Sequence, residues 1–385
     1  MQRTRRSNLA IVSALLTSVW LVCTPPAAGI ESIHQRAVVA ERISTYTTKQ
    51  TFETHSFDAP SSPLEEQFFA DAADGRLDRF APFDAALVAG GVRDFETLQH
   101  YRWKAAALAE EFRRLHPNPG TPRQQAEAVF EFMHRNILYG GYDLAYTDLR
   151  RVLDEGRFNC VSATVLFNYL AEELGLVCHG LEMPGHAMSR ILLPSGTFDI
   201  ENTCPRWFHL NGDSDHPMNA VGQMIGTAAT ADRSKAREVS PIQLAAMIYY
   251  NRGVDFLTEK RFDEAVRANA KALRLDPGNA TARGNLLATI NNWSIELGNR
   301  GQFAEAIDLL QRGLAMDATF AAFAQNFVHV HHQWAESLCQ QGRYAEAIDL
   351  LARASAEMPD REYLRKAQGE VRQRWAKAAV GSSAE

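Results

Sequence analysis

The feature that most constrains this chain is a tetrapeptide that returns at a fixed interval. Phe262-Asp-Glu-Ala265, Phe303-Ala-Glu-Ala306 and Tyr344-Ala-Glu-Ala347 recur 41 residues apart. Each opens a run of apolar residues at helical spacing, and the first and third runs end at Asp276-Pro277 and Met358-Pro359. Proline cannot continue a helix, so these are stops. Upstream of each motif another helical stretch carries a small residue, Gly253, Ser294 or Ala335, which lets two helices cross closely. A unit of this kind cannot bury its apolar face alone and must stack on its neighbours, and three units meet the minimum for such a stack. Residues 244–375 are therefore expected to form an all-α solenoid.

These positions resemble the tetratricopeptide repeat. Tyr249, Gly253, Phe256, Phe262, Ala265, Ala272 and Pro277 fall on its pattern, as do Trp334, Ala335, Leu338, Tyr344, Ala347, Ala354 and Pro359. The usual period is about 34 residues, so the extra length implies longer first helices or longer joins. The resemblance implies a protein or peptide partner held by the repeats, without naming one.

Composition bounds the remainder. At 385 residues the chain exceeds a single core. Hydrophobic residues at 46% and charged residues at 22% exclude a wholly disordered or fibrous chain. Forty basic against forty-six acidic side chains exclude a protein-wide nucleic-acid footprint, so no nucleic-acid partner is expected. Five cysteines are too few for a disulfide scaffold of this length.

The N-terminus speaks to compartment. Arg3, Arg5 and Arg6 precede an apolar run from Leu9 to Cys23, followed by Pro25-Pro-Ala-Ala-Gly29. A basic head, a short apolar run and a small-residue exit are the parts of a secretory signal, assigned to residues 1–29. The run is about fifteen residues, short of the roughly 20 of a spanning helix, so an uncleaved anchor is the second option. Cys23 is a poor lipid acceptor because Val22 is bulky. Loss of residues 1–29 removes three arginines and no acids, taking the charge from −6 to −9. The expected location is periplasmic or secreted, with membrane contact only if the N-terminal segment is retained. In such a compartment Cys178 and Cys204, which flank one expected hairpin, are either a disulfide or two buried thiols.

Between leader and solenoid, residues 30–115 read as a polar arm followed, from Pro63, by a helical segment. Phe68, Phe69, Ala72, Leu98, Ala105 and Phe112 mark the apolar side of that segment. A break at His116–Pro122 opens an α+β unit over 116–225. Thr121-Pro122 caps a helix with Ala126, Val129, Phe130, Met133 and Ile137 on one stripe. A short helix from Thr147 to Glu155 stops at Gly156. Asn159 caps a helix over 160–174 that is apolar nearly all round at its start and hence buried. Strands follow over 176–182, 186–193 and 196–203, turned at Pro184-Gly185 and Pro194-Ser195. A polar, proline-punctuated linker is placed at 226–243.

The chemistry-bearing residues lie in that unit. A cysteine in the first turn of a buried helix faces backbone N–H groups and the positive end of the helix dipole, which favour thiolate and can hold an oxyanion. Cys160 occupies that position. His186 opens a strand and can supply the base, and an acid on the next strand would orient its ring. Two acids are candidates. If Pro194-Ser195 is a two-residue turn, paired positions sum to 389, and Glu201 becomes the diagonal neighbour of His186 at about 7–8 Å. Asp199 lies about 13 Å away at ~3.3 Å per residue and would need a different turn. Other polar clusters have bland readings. His329, His331 and His332 at i, i+2 and i+3 on a helix do not converge as zinc ligands must. Cys178-His179 is structural, and Trp207 and Phe208 are lid or core aromatics, the core reading being the stronger. No metal or cofactor is expected.

Gly156-Arg-Phe-Asn-Cys160, Pro184-Gly-His186 and Asp199-Ile-Glu-Asn-Thr203 together resemble the transglutaminase-like domain of the papain-like cysteine enzymes, and Asp148-Leu149 and the preceding helix extend the likeness over roughly residues 120–210. The resemblance implies a nucleophile at Cys160, a base at His186 and the family's acid at Glu201, where glutamate stands in place of the commoner aspartate. It implies acyl transfer through a thioester, by peptidase-like or amidase-like hydrolysis or by transfer to an amine. The alternative is a non-catalytic assembly protein whose two domains both serve as binding modules.

Overall fold

The computed structural model describes residues 61–117, 120–210 and 236–381. The leader expected over 1–29, the arm that follows it up to residue 60, and the linker up to residue 235 lie outside the described residues. The described chain separates into two compact units, residues 61–255 with 267–282, and residues 256–266 with 283–381.

The first unit begins with three helices where periodicity reads one helical region. In α1 (Pro63–Asp71) Pro63 takes the first helical position, and the Ser62 hydroxyl accepts the Glu65 N–H at 3.2 Å. It runs into a 3₁₀ turn closed by Gly75 at φ +86°. Helix α2 (Pro82–Ala89) is buried along nearly its whole length. By contrast α3 (Phe95–Leu115) buries a single stripe that includes Leu98, Ala105 and Phe112. Helix α4 (Pro122–Asn136) starts in a reciprocal cap between Thr121 and Gln124 and buries Ala126, Val129, Phe130 and Met133, as its spacing anticipates.

Two short parallel strands, β1 (Gly141–Tyr142) and β2 (Arg157–Phe158), bracket helix α5 (Leu149–Glu155). Gly156 ends α5 at φ +68°, and a Cβ there would lie 2.7 Å from the Ile137 carbonyl oxygen, so only glycine fits. Helix α6 (Cys160–Glu172) follows, buried on nearly every face, and packs against β3 (Val177–Met183) and β4 (His186–Leu193). With β5 (Gly196–Ile200) and β6 (Arg237–Val239) these form one antiparallel sheet of order β5-β4-β3-β6.

The register of β4 and β5 is the expected one, with Leu193 opposite Gly196 and Arg190 opposite Asp199. Two details differ from expectation. The third strand stops at Ile200 rather than Thr203, because Glu201, Asn202 and Thr203 all turn inward instead of alternating. Strand β6 lies inside the stretch read as linker, where Arg237 pairs with Glu182 and Val239 with Gly180. Three residues are too few to carry an alternating pattern. Trp207 begins a short helix, α7 (Trp207–Leu210), and is buried in the core; Phe208 packs edge-on against Phe130 at 5.2 Å. Helix α8 (Pro241–Thr258) lies close on the sheet at Gly180, where a Cβ would meet Leu244 and Val239 at 2.6 Å.

Helices α8, α9 (Phe262–Leu275) and α10 (Ala280–Asn299) contribute residues to both units, so the solenoid boundary expected at 244 falls inside the first. The second unit continues through α11 (Phe303–Met316), α12 (Ala321–Gln340), α13 (Tyr344–Glu357) and α14 (Glu362–Gly381), each packed on the next. Helices α10 and α12 have 20 residues and α11 and α13 have 14, which puts the extra length of the repeat in its first helix. The 41-residue interval has a packing correlate. Phe262 stacks on Trp293 and Phe303 stacks on Trp334, with ring centroids 6.5 and 6.0 Å apart. Among the described residues no helix is long and apolar enough to cross a membrane.

Candidate active site

The first turn of α6 is fixed from both sides. Asn159 accepts the Ser162 N–H and Ser162 Oγ accepts the Asn159 N–H, each at 3.0 Å. The Asn159 amide also donates to Thr147 Oγ1 at 2.6 Å and to the Leu144 carbonyl at 3.0 Å, and the Ser162 hydroxyl donates to the Tyr146 carbonyl at 2.8 Å. The helix start is thereby locked to the 144–147 loop. Cys160 follows the cap as the first helical residue and is only 6% exposed. Backbone N–H groups at this end have no carbonyl within the helix to bond.

His186 opens β4 directly after Gly185, whose φ of +73° makes the turn, and pairs with Met183 across the hairpin. Its Nε2 donates to Glu201 Oε2, and Cys160 lies close enough to the ring for its charge to act on it. Glu201 is wholly buried. Its Oε1 accepts the Thr203 N–H at 2.9 Å and the Thr203 hydroxyl at 2.5 Å. Cys160, His186 and Glu201 are thus brought together, with the His186–Glu201 hydrogen bond buried beside the cysteine.

Asp199 is not part of that line. It lies across from Arg190, whose guanidinium holds its carboxylate with two hydrogen bonds of 2.7 and 3.0 Å. The end of β5 at Ile200 separates the two acids. Asp199 stays in the ladder, while Glu201 has left it and points inward.

The electrostatics follow from this burial. Burial pushes the Glu201 carboxyl up, but the His186 charge and the hydrogen bonds from His186 and Thr203 outweigh it and hold the group below its ordinary range. Burial pushes His186 down, and the Glu201 charge and hydrogen bond, with the charge of Cys160, reverse this, leaving its pKa well above 6.5. An imidazole so placed can take a proton from a thiol and remain charged beside its carboxylate.

Three residues that no sequence motif marks also stand at the site. The Tyr142 phenol of β1 lies beside Cys160, whose charge acts on it. Tyr250 of α8 donates to Glu182 Oε1 at 3.1 Å and feels the charge of Cys160. His134 of α4 lies near Glu201, and burial lowers its pKa to about 4 against a hydrogen bond with the Asn202 backbone. Tyr142 follows a Gly-Gly pair, an ordinary loop signal, and Tyr250 reads simply as a helix-core aromatic.

The remaining candidates sort plainly. Cys178 and Cys204 are separate free thiols, and burial pushes Cys178 up to about 12. His331 is buried with Nδ1 on the Phe327 carbonyl at 2.8 Å, while His329 is exposed.

No curated protein and no solved structure matches the chain. Two family models do. Residues 99–204, which contain Cys160, His186 and Glu201, match the transglutaminase-like superfamily, and residues 300–371 match the tetratricopeptide repeat. The chain therefore carries a transglutaminase-like domain followed by a tetratricopeptide-repeat array, a kind of array that generally mediates protein–protein interaction.

Proposed function

We propose that this chain is an exported acyl-transfer enzyme with Cys160 as nucleophile, His186 as general base and Glu201 as the residue that orients and stabilises the imidazolium. The observation that carries the reading is the buried His186–Glu201 hydrogen bond set beside Cys160 at the start of α6. His186 takes the thiol proton, and the sulfur attacks the carbonyl carbon of an amide or related acyl donor. A C–S bond forms and the carbonyl electron pair moves to oxygen. Collapse breaks the bond to the leaving amine, which receives the proton from His186. Water or a second amine then takes the acyl group from the thioester. Glu201 replaces the bulk water that would otherwise stabilise the imidazolium. The repeats are proposed to hold a protein partner or substrate. Export rests on the Arg3–Gly29 pattern.

The test is the rate of Cys160 alkylation by iodoacetamide against pH, beside His186→Ala. A rate that stays high below about pH 7, under the free-thiol pKa of ~8.5, and collapses in the variant is expected. An ordinary thiol profile in both proteins would overturn the reading and leave a scaffold.

A further inference from the structure

We infer that the Tyr142 hydroxyl is a catalytic hydrogen-bond donor at Cys160, resting on the sulfur and passing to the oxyanion that forms when the sulfur attacks an acyl carbon. The inference rests on the acyl-transfer reading above and deepens it.

Tyr142 is held in place by backbone. It pairs with Phe158 in the β1–β2 bridge, and Phe158 is two residues before Cys160. The Asp143 N–H donates to the Phe158 carbonyl and the Gly140 N–H to the Gly156 carbonyl, each at 2.9 Å. The tyrosine ring stands edge-on to Phe158 with centroids 5.9 Å apart. The approach is close. A Cβ on Gly140 would lie 2.4 Å from the Glu155 carbonyl oxygen, and Gly141 sits at φ +88°. A rigid bridge therefore delivers the phenol to the N-terminal end of α6, beside Cys160, whose charge acts on it.

The direction of the hydrogen bond inferred here follows from the partners. When His186 takes the thiol proton, the sulfur has only lone pairs to offer, so the phenol donates. Burial first, then the charges of Cys160 and Glu201, push the Tyr142 phenol up, so it keeps its proton.

Attack creates a tetrahedral carbon bearing both the sulfur and the new oxyanion. A donor beside the sulfur is within reach of that oxygen, and the Cys160 backbone N–H at the helix start offers a second donor. A tyrosine that only packed against the cysteine would act equally on every reaction of the thiol. One that serves the oxyanion acts far more on acylation than on alkylation.

Tyr142→Phe, which keeps the ring and removes the hydroxyl, separates these with two probes. Iodoacetamide alkylates sulfur by displacing iodide at a saturated carbon, and no oxyanion forms. p-Nitrophenyl acetate acylates sulfur through an oxyanion, releasing p-nitrophenolate and leaving an acetyl thioester. The variant is expected to lose about 10²–10³-fold in the p-nitrophenolate burst rate while alkylation falls at least tenfold less. A loss in acylation that exceeds the loss in alkylation by less than tenfold overturns the inference. If the wild-type protein itself alkylates as an ordinary thiol, the acyl-transfer reading fails and takes this inference with it. A reactive wild type matched by an equally reactive variant sinks the inference alone.

Discussion

The surroundings of Cys160 and the second unit bury polar groups in opposite ways. Around Cys160, polar side chains bond between elements distant in sequence. Asn159 reaches Thr147, His186 reaches Glu201, and the Asn202 amide donates to Ser189 at 2.7 Å and to Thr164 at 3.3 Å. In the second unit most buried polar groups turn back on their own helix. Thr289 donates to the Asn285 carbonyl, Ser294 to the Asn291 carbonyl, and His331 shares its Nδ1 with the Phe327 carbonyl. The core there is alanine, leucine and phenylalanine, and ion pairs such as Arg374–Glu336 and Arg343–Glu346 stand at the surface. One region accepts desolvation to hold particular atoms together. The other uses interchangeable apolar contacts to stack helices, as a repeat requires.

The largest expected effect lies at the centre of the polar region. Glu201→Ala leaves His186 buried without its carboxylate, and removing one partner of a buried pair costs about 3–5 kcal/mol, measurable by urea unfolding. The pH dependence has two flanks. Glu201, held below its ordinary 4.5, contributes stability above that pH and loses it as pH falls through its lowered folded value. His186, raised above 6.5, contributes fully below that pH and loses it as pH rises through its raised folded value. Stability from the pair is complete between those limits, and both flanks should flatten in Glu201→Ala. A variant as stable and as pH-sensitive as the wild type would erase the contrast.

Packing, rather than polarity, should dominate in the second unit. A Cβ on Gly313 would lie 2.6 Å from the fully buried ring of Phe323. Gly313→Ala is expected to destabilise by about 1–3 kcal/mol through overpacking, even though alanine is the better helix former. Unchanged urea unfolding would mean a looser stack than the alanine-rich core suggests. The smallest effect is expected from Arg374→Ala, whose ion pair with Glu336 is well exposed on both sides. A change under about 1 kcal/mol fits such a pair, and a larger one would show that surface charge helps align the helices.

Legibility in the sequence followed the same division. The repeats declare themselves through a period, and a period survives every local irregularity. Cys160, His186 and Glu201 were visible because a helix cap, a Pro-Gly turn and a two-residue turn each leave a local mark, and strand alternation carries the rest. Tyr142 left none, since a two-residue parallel bridge has no periodicity and its partner Phe158 is sixteen positions away. Strand β6 was hidden for the same reason. The Asn202–Ser189–Thr164 network was equally silent, because polar residues in a strand and helix ordinarily signal solvent.

The Arg190–Asp199 pair acts as a clamp on alignment. Sliding β5 along β4 by two residues leaves every side chain on its own face, so the hydrophobic pattern cannot resist that error. Charge can. Slid one way, Arg190 would face Thr197 and lose Asp199, keeping only the longer ion pair with Glu238 at 3.5 Å; slid the other, it would face Glu201 and take that acid from His186. The acid left outside the site is thus what determines which acid lies within it.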